Sequence, residues 1–147
     1  MGLTLESFLP YRLNRIAEAV GNEIRPVYKD TFGLNRPEWR VLAALADIGP
    51  ATATEIGAHS TQHKTKVSRA VTALEQRRWL TRETDPNDRR SEILSLTAKG
   101  QRAYCDLVEP MRQCEAGILD RLDAEDRTAL EKALDALETT LDLRKRG

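Results

Sequence analysis

One six-residue stretch, Asp85-Pro86-Asn87-Asp88-Arg89-Arg90, interrupts an otherwise helical pattern and fixes where the chain must turn back on itself. Thr81-Arg82-Glu83-Thr84 precedes it. Ser91 to Leu96 follows, and there Leu94 and Leu96 alternate with Ser95 as in a half-buried strand. Pro86 and Asn87 supply turn chemistry, so the segment reads as a β-hairpin with two arginines at its tip. Elsewhere the apolar residues recur at helical spacing. The expected fold class is mostly α with a small β component (α+β).

Leu9, Leu13, Ile16 and Val20 open the helical pattern, which continues to Ile24 and Tyr28. Pro10 suits an early helical position, whereas Pro26 is expected to kink or break the far end. Pro37 begins a second helix carrying Val41, Leu42 and Leu45, which stops at Gly49-Pro50. Thr52 or Thr54 caps a short third helix through Ile56 to about Ala58, with Glu55 completing a capping box. A turn near His59-Ser60-Thr61 leads to a fourth helix with Val67, Ala70, Val71 and Leu74 on one face. A short helix followed by one that is polar outside matches the helix-turn-helix pattern, with the hairpin as its wing. After a Thr97 cap come two amphipathic helices. Tyr104, Leu107, Val108, Met111, Ile118, Leu119 and Leu122 line the first. Asp123 caps the second, on which Leu130, Ala133, Leu134, Leu137 and Leu141 repeat. So long a stripe needs a partner surface, either the first helix of the same chain or a second copy of the protein.

The 147 residues suit one folding unit, and 40% apolar with 31% charged residues indicates a globular chain. The longest apolar run, Val41 to Ala46, is too short to cross a bilayer. The N-terminus carries no basic-then-apolar leader, so the expected location is the cytoplasm. Net charge is zero, but between Thr61 and Arg90 eight Lys and Arg face four Asp and Glu. A basic patch on a neutral protein attracts phosphate locally. Cys105 and Cys114 fall on nearly opposite faces of one helix, about 13 Å apart along its axis, which excludes a disulfide between them. They read as small apolar-like residues in or near packing, with thiol sensing as the alternative.

On a helical wheel with Val67, Val71 and Leu74 facing in, Thr65, Arg69, Thr72 and Gln76 point out. Gln62 shares that side, flanked by Lys66 and Ser68. Arg69 suits guanine O6 and N7, and Gln62 suits adenine in the same bidentate way. Thr65, Thr72 and Ser68 suit phosphates or a thymine methyl, and Lys66 suits a phosphate. In the wing, Asp88 and Arg90 are two residues apart, so Asp88 can hold a guanidinium extended towards a narrow minor groove, with Arg89 a phosphate contact. An enzyme is not expected. His59 and His63 are the only histidines, neither cysteine has a base nearby in sequence, and there is no phosphate-cradling glycine loop or metal-ligand spacing. No cofactor and no metal site are expected.

Several segments together resemble the MarR family of bacterial winged-helix regulators. They are Pro37-Glu38-Trp39-Arg40-Val41-Leu42, Gly49-Pro50-Ala51-Thr52, Lys66-Val67-Ser68-Arg69-Ala70-Val71, Leu74-Glu75, Asp85 to Arg90, and Leu96-Thr97-Ala98-Lys99-Gly100. The resemblance implies a winged helix-turn-helix lobe over 34–100 within a single domain of 1–147. Residues 1–33 and 101–147 would supply intertwined dimerisation helices of a triangular homodimer. It implies double-stranded DNA with a pseudo-palindromic operator as the partner, Arg90 as the minor-groove probe, and Asp88 as its support. Arg78-Trp79 departs from the family's common pattern of a small or aliphatic residue after glycine. The family also implies a small anionic or phenolic effector, with Arg12 or Arg40 anchoring its carboxylate and Tyr11 or Trp39 as an aromatic wall. The expected function is a dimeric, sequence-specific transcriptional regulator: a repressor released by an aromatic or phenolic acid or its thioester. A thiol-based redox regulator and a winged-helix protein-interaction module are the alternatives.

Overall fold

The computed structural model describes residues 1–143. A 3-10 turn, Leu5–Ser7, leads into helix α1, Leu9–Phe32, with Pro10 in its first turn. Of the kink or break expected at Pro26, the break does not occur, and the helix runs on to Phe32. A proline inside a helix costs about 3 kcal/mol or more. Here the turns beyond it bury Tyr28 and pack Val27 and Phe32 on the core, which offsets that cost. Gly33 ends the helix in the left-handed region, at φ 65°, and its N–H donates to the Lys29 carbonyl at 2.8 Å.

Helix α2, Arg36–Ile48, is capped by Asn35, whose side chain accepts the Glu38 N–H at 2.9 Å. A two-residue strand, β1 (Ala51–Thr52), follows Gly49-Pro50 and was not anticipated. Helix α3 is Ala53–Ser60, and Thr52 caps it as expected by accepting the Glu55 N–H at 3.2 Å. The capping box is altered: the Glu55 carboxylate accepts from the Thr52 hydroxyl at 3.2 Å. The helix also outruns Ala58, because the Ser60 hydroxyl donates back to the Ile56 carbonyl at 2.6 Å and buries there.

Helix α4, Lys64–Gln76, is followed by the hairpin of β2 (Leu80–Asp85) and β3 (Asp88–Leu96). The sheet is antiparallel with order β1-β3-β2, and Ala51 lies opposite Leu94. Between α4 and β2, Arg78 adopts a left-handed φ of 63°. Its N–H donates to the Glu75 carbonyl and the Trp79 N–H to the Leu74 carbonyl, at 2.8 and 3.0 Å. That pair of bonds is a Schellman ending with arginine where glycine is the usual residue. The departure at Arg78-Trp79 therefore leaves the start of β2 intact and turns Trp79 into the core.

The first compact unit ends at Met111, inside helix α5 (Ala98–Leu119). Its core is built from Val41, Leu42 and Leu45 of α2, Ile56 of α3, Val67, Val71 and Leu74 of α4, and Leu80 and Leu94 of the hairpin. Ala103 and Leu107 of α5 join them. Thr97 caps α5 by accepting the Gly100 N–H at 3.0 Å, while its hydroxyl donates to the Arg78 carbonyl at 2.7 Å. A Cβ on Gly100 would stand 2.9 Å from the Trp79 carbonyl carbon, so this position admits only glycine without backbone movement. The second unit, from Arg112, holds the end of α5 and helix α6, Ala124–Thr140, capped by Asp123 through the Asp126 N–H at 2.8 Å. Leu122 lies past the end of α5, in the turn, and Leu141 just past α6, so neither extends its helical stripe. Among the described residues no helix is long and apolar enough to cross a membrane.

Candidate nucleic-acid interface

Helix α4 turns its apolar face wholly inward: Val67, Ala70, Val71 and Leu74 are each 2% exposed or less. The same period leaves Thr65, Lys66, Ser68, Arg69 and Thr72 exposed on the opposite side. Lys66 and Arg69 have no hydrogen bond or ion pair among the described residues, so their cationic ends are available. His63 caps the helix, its Nδ1 accepting the Thr65 N–H at 3.3 Å. Lys64 stands at the first helical position. A helix N-terminus flanked by Lys64 and Lys66 is arranged to receive a phosphate.

Gln62 is not on the helix. It sits in the turn after Thr61, which takes a left-handed φ of 53°, and its side-chain amide donates to the Ser60 hydroxyl oxygen at 2.9 Å. The helical period that would carry Gln62 on the outer face of α4 begins only at Lys64. Thr72 is exposed but engaged: its hydroxyl donates to the Ser68 carbonyl at 3.1 Å and accepts from Arg82 at 3.3 Å. Arg82 also donates to Glu75 at 3.2 Å, tying β2 to α4. This residue was missed as part of the site. The signal was available, since Leu80 and Arg82 are two apart on a strand and must share the face towards α4.

The wing tip differs from a regular hairpin. Asp85 pairs with Asp88, but the next pair is Thr84 with Glu92. Arg89, Arg90 and Ser91 thus have no partners on β2 and form a bulge, which re-aims their side chains. Asp85 accepts the Asn87 N–H at 2.9 Å and closes the turn. Asp88 accepts the Arg90 backbone N–H at 3.0 Å through one oxygen and the Ser91 hydroxyl at 3.1 Å through the other. Asp88 therefore supports Arg90 through its backbone, not its guanidinium as expected. Both carboxylate oxygens are used in shaping the bulge. A groove of about 560 Å³ between α3, α4 and the wing is lined by Gln62, Lys64, Ser68, Arg82 and Arg90. The wing and the polar helix face thus border one positively charged recess.

The four residues considered for an effector do not form one site. Tyr11 and Arg12 line a shallow depression of about 370 Å³ on α1, where the Arg15 guanidinium lies 5.8 Å from the Tyr11 ring centre. Trp39 stacks on Tyr28, centre to centre 5.7 Å. Arg40 is not poised for a ligand, because its guanidinium donates to the Ser60 carbonyl at the end of α3. Burial lowers its pKa from the usual arginine value, and Arg36 nearby adds to the effect. A separate cleft of about 660 Å³ between α1 and α2 includes Asn22, Arg25, Tyr28, Arg36 and Glu38. Arg36 pairs with Glu18 at its edge, 3.3 Å. Glu38 lines this cleft with one buried carboxylate oxygen lacking a partner. Cys105 is exposed rather than packed, and neither cysteine is in a disulfide. Among the described residues no three His, Cys, Asp or Glu converge as metal ligands would.

A short helix, a second helix polar on its outer face, and a hairpin wing define a winged helix-turn-helix, a fold that binds DNA. A sequence model of the MarR family matches residues 32–91. YwoH of Bacillus subtilis (strain 168), described as an uncharacterised HTH-type transcriptional regulator, is 29% identical over 114 residues, spanning 78% of this chain and 79% of its own. BpsR of Bordetella bronchiseptica, whose DNA binding is regulated by 6-hydroxynicotinic acid, superposes with a TM-score of 0.79 at 20% identity, over 94% of this chain and 98% of its own. CouR of Rhodococcus jostii RHA1, solved with p-coumaroyl-CoA bound, gives 0.76 at 16% identity, over 95% of each chain. Residues 32–91, the stretch that carries α2, α3, α4 and most of the wing, thus resemble the MarR family, and over most of its length the chain is similar to HTH-type transcriptional regulators.

Proposed function

We propose that the protein is a homodimeric, sequence-specific repressor that leaves its operator when a small molecule binds. Residues 34–100 act as the DNA-binding lobe of a single 1–147 domain, with 1–33 and 101–147 as dimerisation helices. The observation that carries this reading is the shared recess between α4 and the wing, bordered by Arg90, Arg82, Lys64 and Ser68. In this reading α4 lies in a major groove, with Arg69 on base edges and Thr65, Lys66, Ser68 and Thr72 on phosphates or a thymine methyl. Arg90 enters the neighbouring minor groove, and Arg89 meets the phosphates beside it. Gln62 contacts DNA from the turn, at the start of α4.

Arg90→Ala tests the reading with a duplex obtained by binding-site selection against the wild-type protein. The variant is expected to bind more weakly, and its log-affinity against log-salt slope should fall by about one unit. Unchanged affinity and slope would remove the wing from the interface.

The ligands of BpsR and CouR, a hydroxylated aromatic acid and an acyl thioester, support an effector of aromatic-acid type here. Its pocket draws either on Tyr11 and Arg12 of the α1 depression or on the α1–α2 cleft beside Trp39, and less on Arg40, which is already engaged. The effector acts by binding the DNA-incompetent arrangement more tightly than the competent one. The exposure of Cys105 favours one second reading, release by oxidation. Peroxide-induced loss of DNA binding that disappears in Cys105→Ser would support it.

A further inference from the structure

Only three residues, Gly33, Leu34 and Asn35, connect α1 to α2, and the first has a left-handed backbone. A joint this short makes the angle between α1 and the winged lobe depend on the side chains that bridge it. Beside the Tyr28–Trp39 stack and the Arg36–Glu18 ion pair, one further side chain spans it from α4. Arg77, at the end of α4, donates to the Phe32 carbonyl at 2.8 Å and to the Gly33 carbonyl at 3.2 Å. These are carbonyls at the C-terminus of α1, where the helix dipole favours a cation. The same guanidinium lies 5.0 Å from the centre of the Trp79 ring, and Phe32 meets that ring edge to face at 5.6 Å. Arg77, Trp79 and Phe32 thus form a clamp between the last turn of α1 and the last turn of the DNA-facing helix.

We propose that Arg77 is a positioning residue for operator recognition. It fixes the angle between α1 and α4, and so fixes the separation at which two copies can present α4 to DNA. The inference rests on the homodimer proposed above. A planar fork suits the task, because two bonds to successive carbonyls define a direction and one bond does not. Arg77 is turned towards α1 and away from the polar face of α4, so its effect on DNA passes through geometry and not through contact.

The full chain would be titrated against the selected palindromic duplex and derivatives with one or two base pairs inserted between half-sites. Wild type should lose about tenfold or more per insertion, since each base pair moves a half-site by about 3.4 Å and turns it by roughly 34°. Arg77→Ala should cut that penalty to about threefold or less, because a freed joint can follow the displaced half-site. Arg77→Lys keeps the charge and secures folding, and should fall between them, as an ammonium lacks the planar fork. Thermal melts would confirm that each variant is folded at the assay temperature. Variants that keep the wild-type penalty, or lose affinity equally on every duplex, would overturn the positioning role and leave the dimer reading standing. Wild type insensitive to half-site spacing would overturn the dimer reading and this inference with it.

Discussion

Tyr28 shows how a single residue ties the two first helices together and gives stability a pH dependence. It is buried, stacks on Trp39, and lines the α1–α2 cleft. Burial pushes its phenol above the ordinary 10.0. Glu18 acts in the same direction, while Arg25 and Arg36 pull the other way. A raised folded-state pKa means that the unfolded chain releases the proton first. The Tyr28 contribution is therefore whole below pH 10.0 and is lost as pH rises through that value towards the folded-state pKa. Tyr28→Phe cannot ionise and keeps the stacking. Denaturant melts from pH 9 to about 11 should show a shallower decline for the variant than for wild type. Equal slopes would mean that the buried phenol titrates normally. Among single residues, the caps were the most legible. Thr52, Thr97 and Asp123 accept the N–H groups expected of them, because cap chemistry is local to four residues. Arg40 was misread because its partner, the Ser60 carbonyl, lies twenty residues away and belongs to another helix.

At the scale of elements, periodicity predicted α4 well and the wing less well. The inner face of α4 follows from one spacing repeated over three turns, and every residue expected there is buried. A hairpin was equally legible from Pro86 and Asn87. Its register was not, since nothing local to the sequence announces that Arg89, Arg90 and Ser91 go unpaired. The strand β1 was hidden for a similar reason: two residues have no period, and Ala51 and Thr52 are held by pairing with Leu94 and Ile93. Pro26 erred the other way, with tertiary burial overriding a local rule. The bulge gives Asp88 a role that charge alone would contradict. Removing a carboxylate beside DNA should strengthen binding by reducing repulsion. Asp88→Ala instead releases the Arg90 N–H and the Ser91 hydroxyl, so the tip loses the shape that aims Arg90. Operator affinity should fall about tenfold, roughly 1.4 kcal/mol, with thermal stability nearly unchanged because the tip is exposed. Anisotropy titrations at fixed salt would measure it. Tighter binding by the variant would reduce Asp88 to a charge.

The whole molecule carries zero net charge, so whatever draws it to DNA must come from where its cations sit and how many copies present them. One lobe offers a single α4 and a single wing, a small footprint for a specific site. The surface points to pairing. Leu9, Leu13 and Ile16 recur along α1 at 52, 40 and 56% exposure, and on α6 Leu130 and Leu134 are also exposed. An apolar stripe left in water is unfavourable by about 25 cal/mol per Å² and marks an interface when it is contiguous. The sequence pattern revealed this stripe because its period is helical. It does not name the covering surface, because a period within one helix carries no information on what packs against it. Ile16→Glu is the informative change, since it places a carboxylate in the middle of the α1 stripe without touching the winged lobe. Burying that charge unpaired would cost several kcal/mol, enough to dissociate a dimer of micromolar or weaker affinity. Sedimentation should then show a monomer that melts as a folded protein, and binding to the selected palindrome should drop towards that of one isolated half-site. Arg90→Ala supplies the contrast: it should remain dimeric while losing DNA affinity. If Ile16→Glu sediments as wild type does and binds the palindrome equally well, the α1 stripe is not the surface that joins two copies.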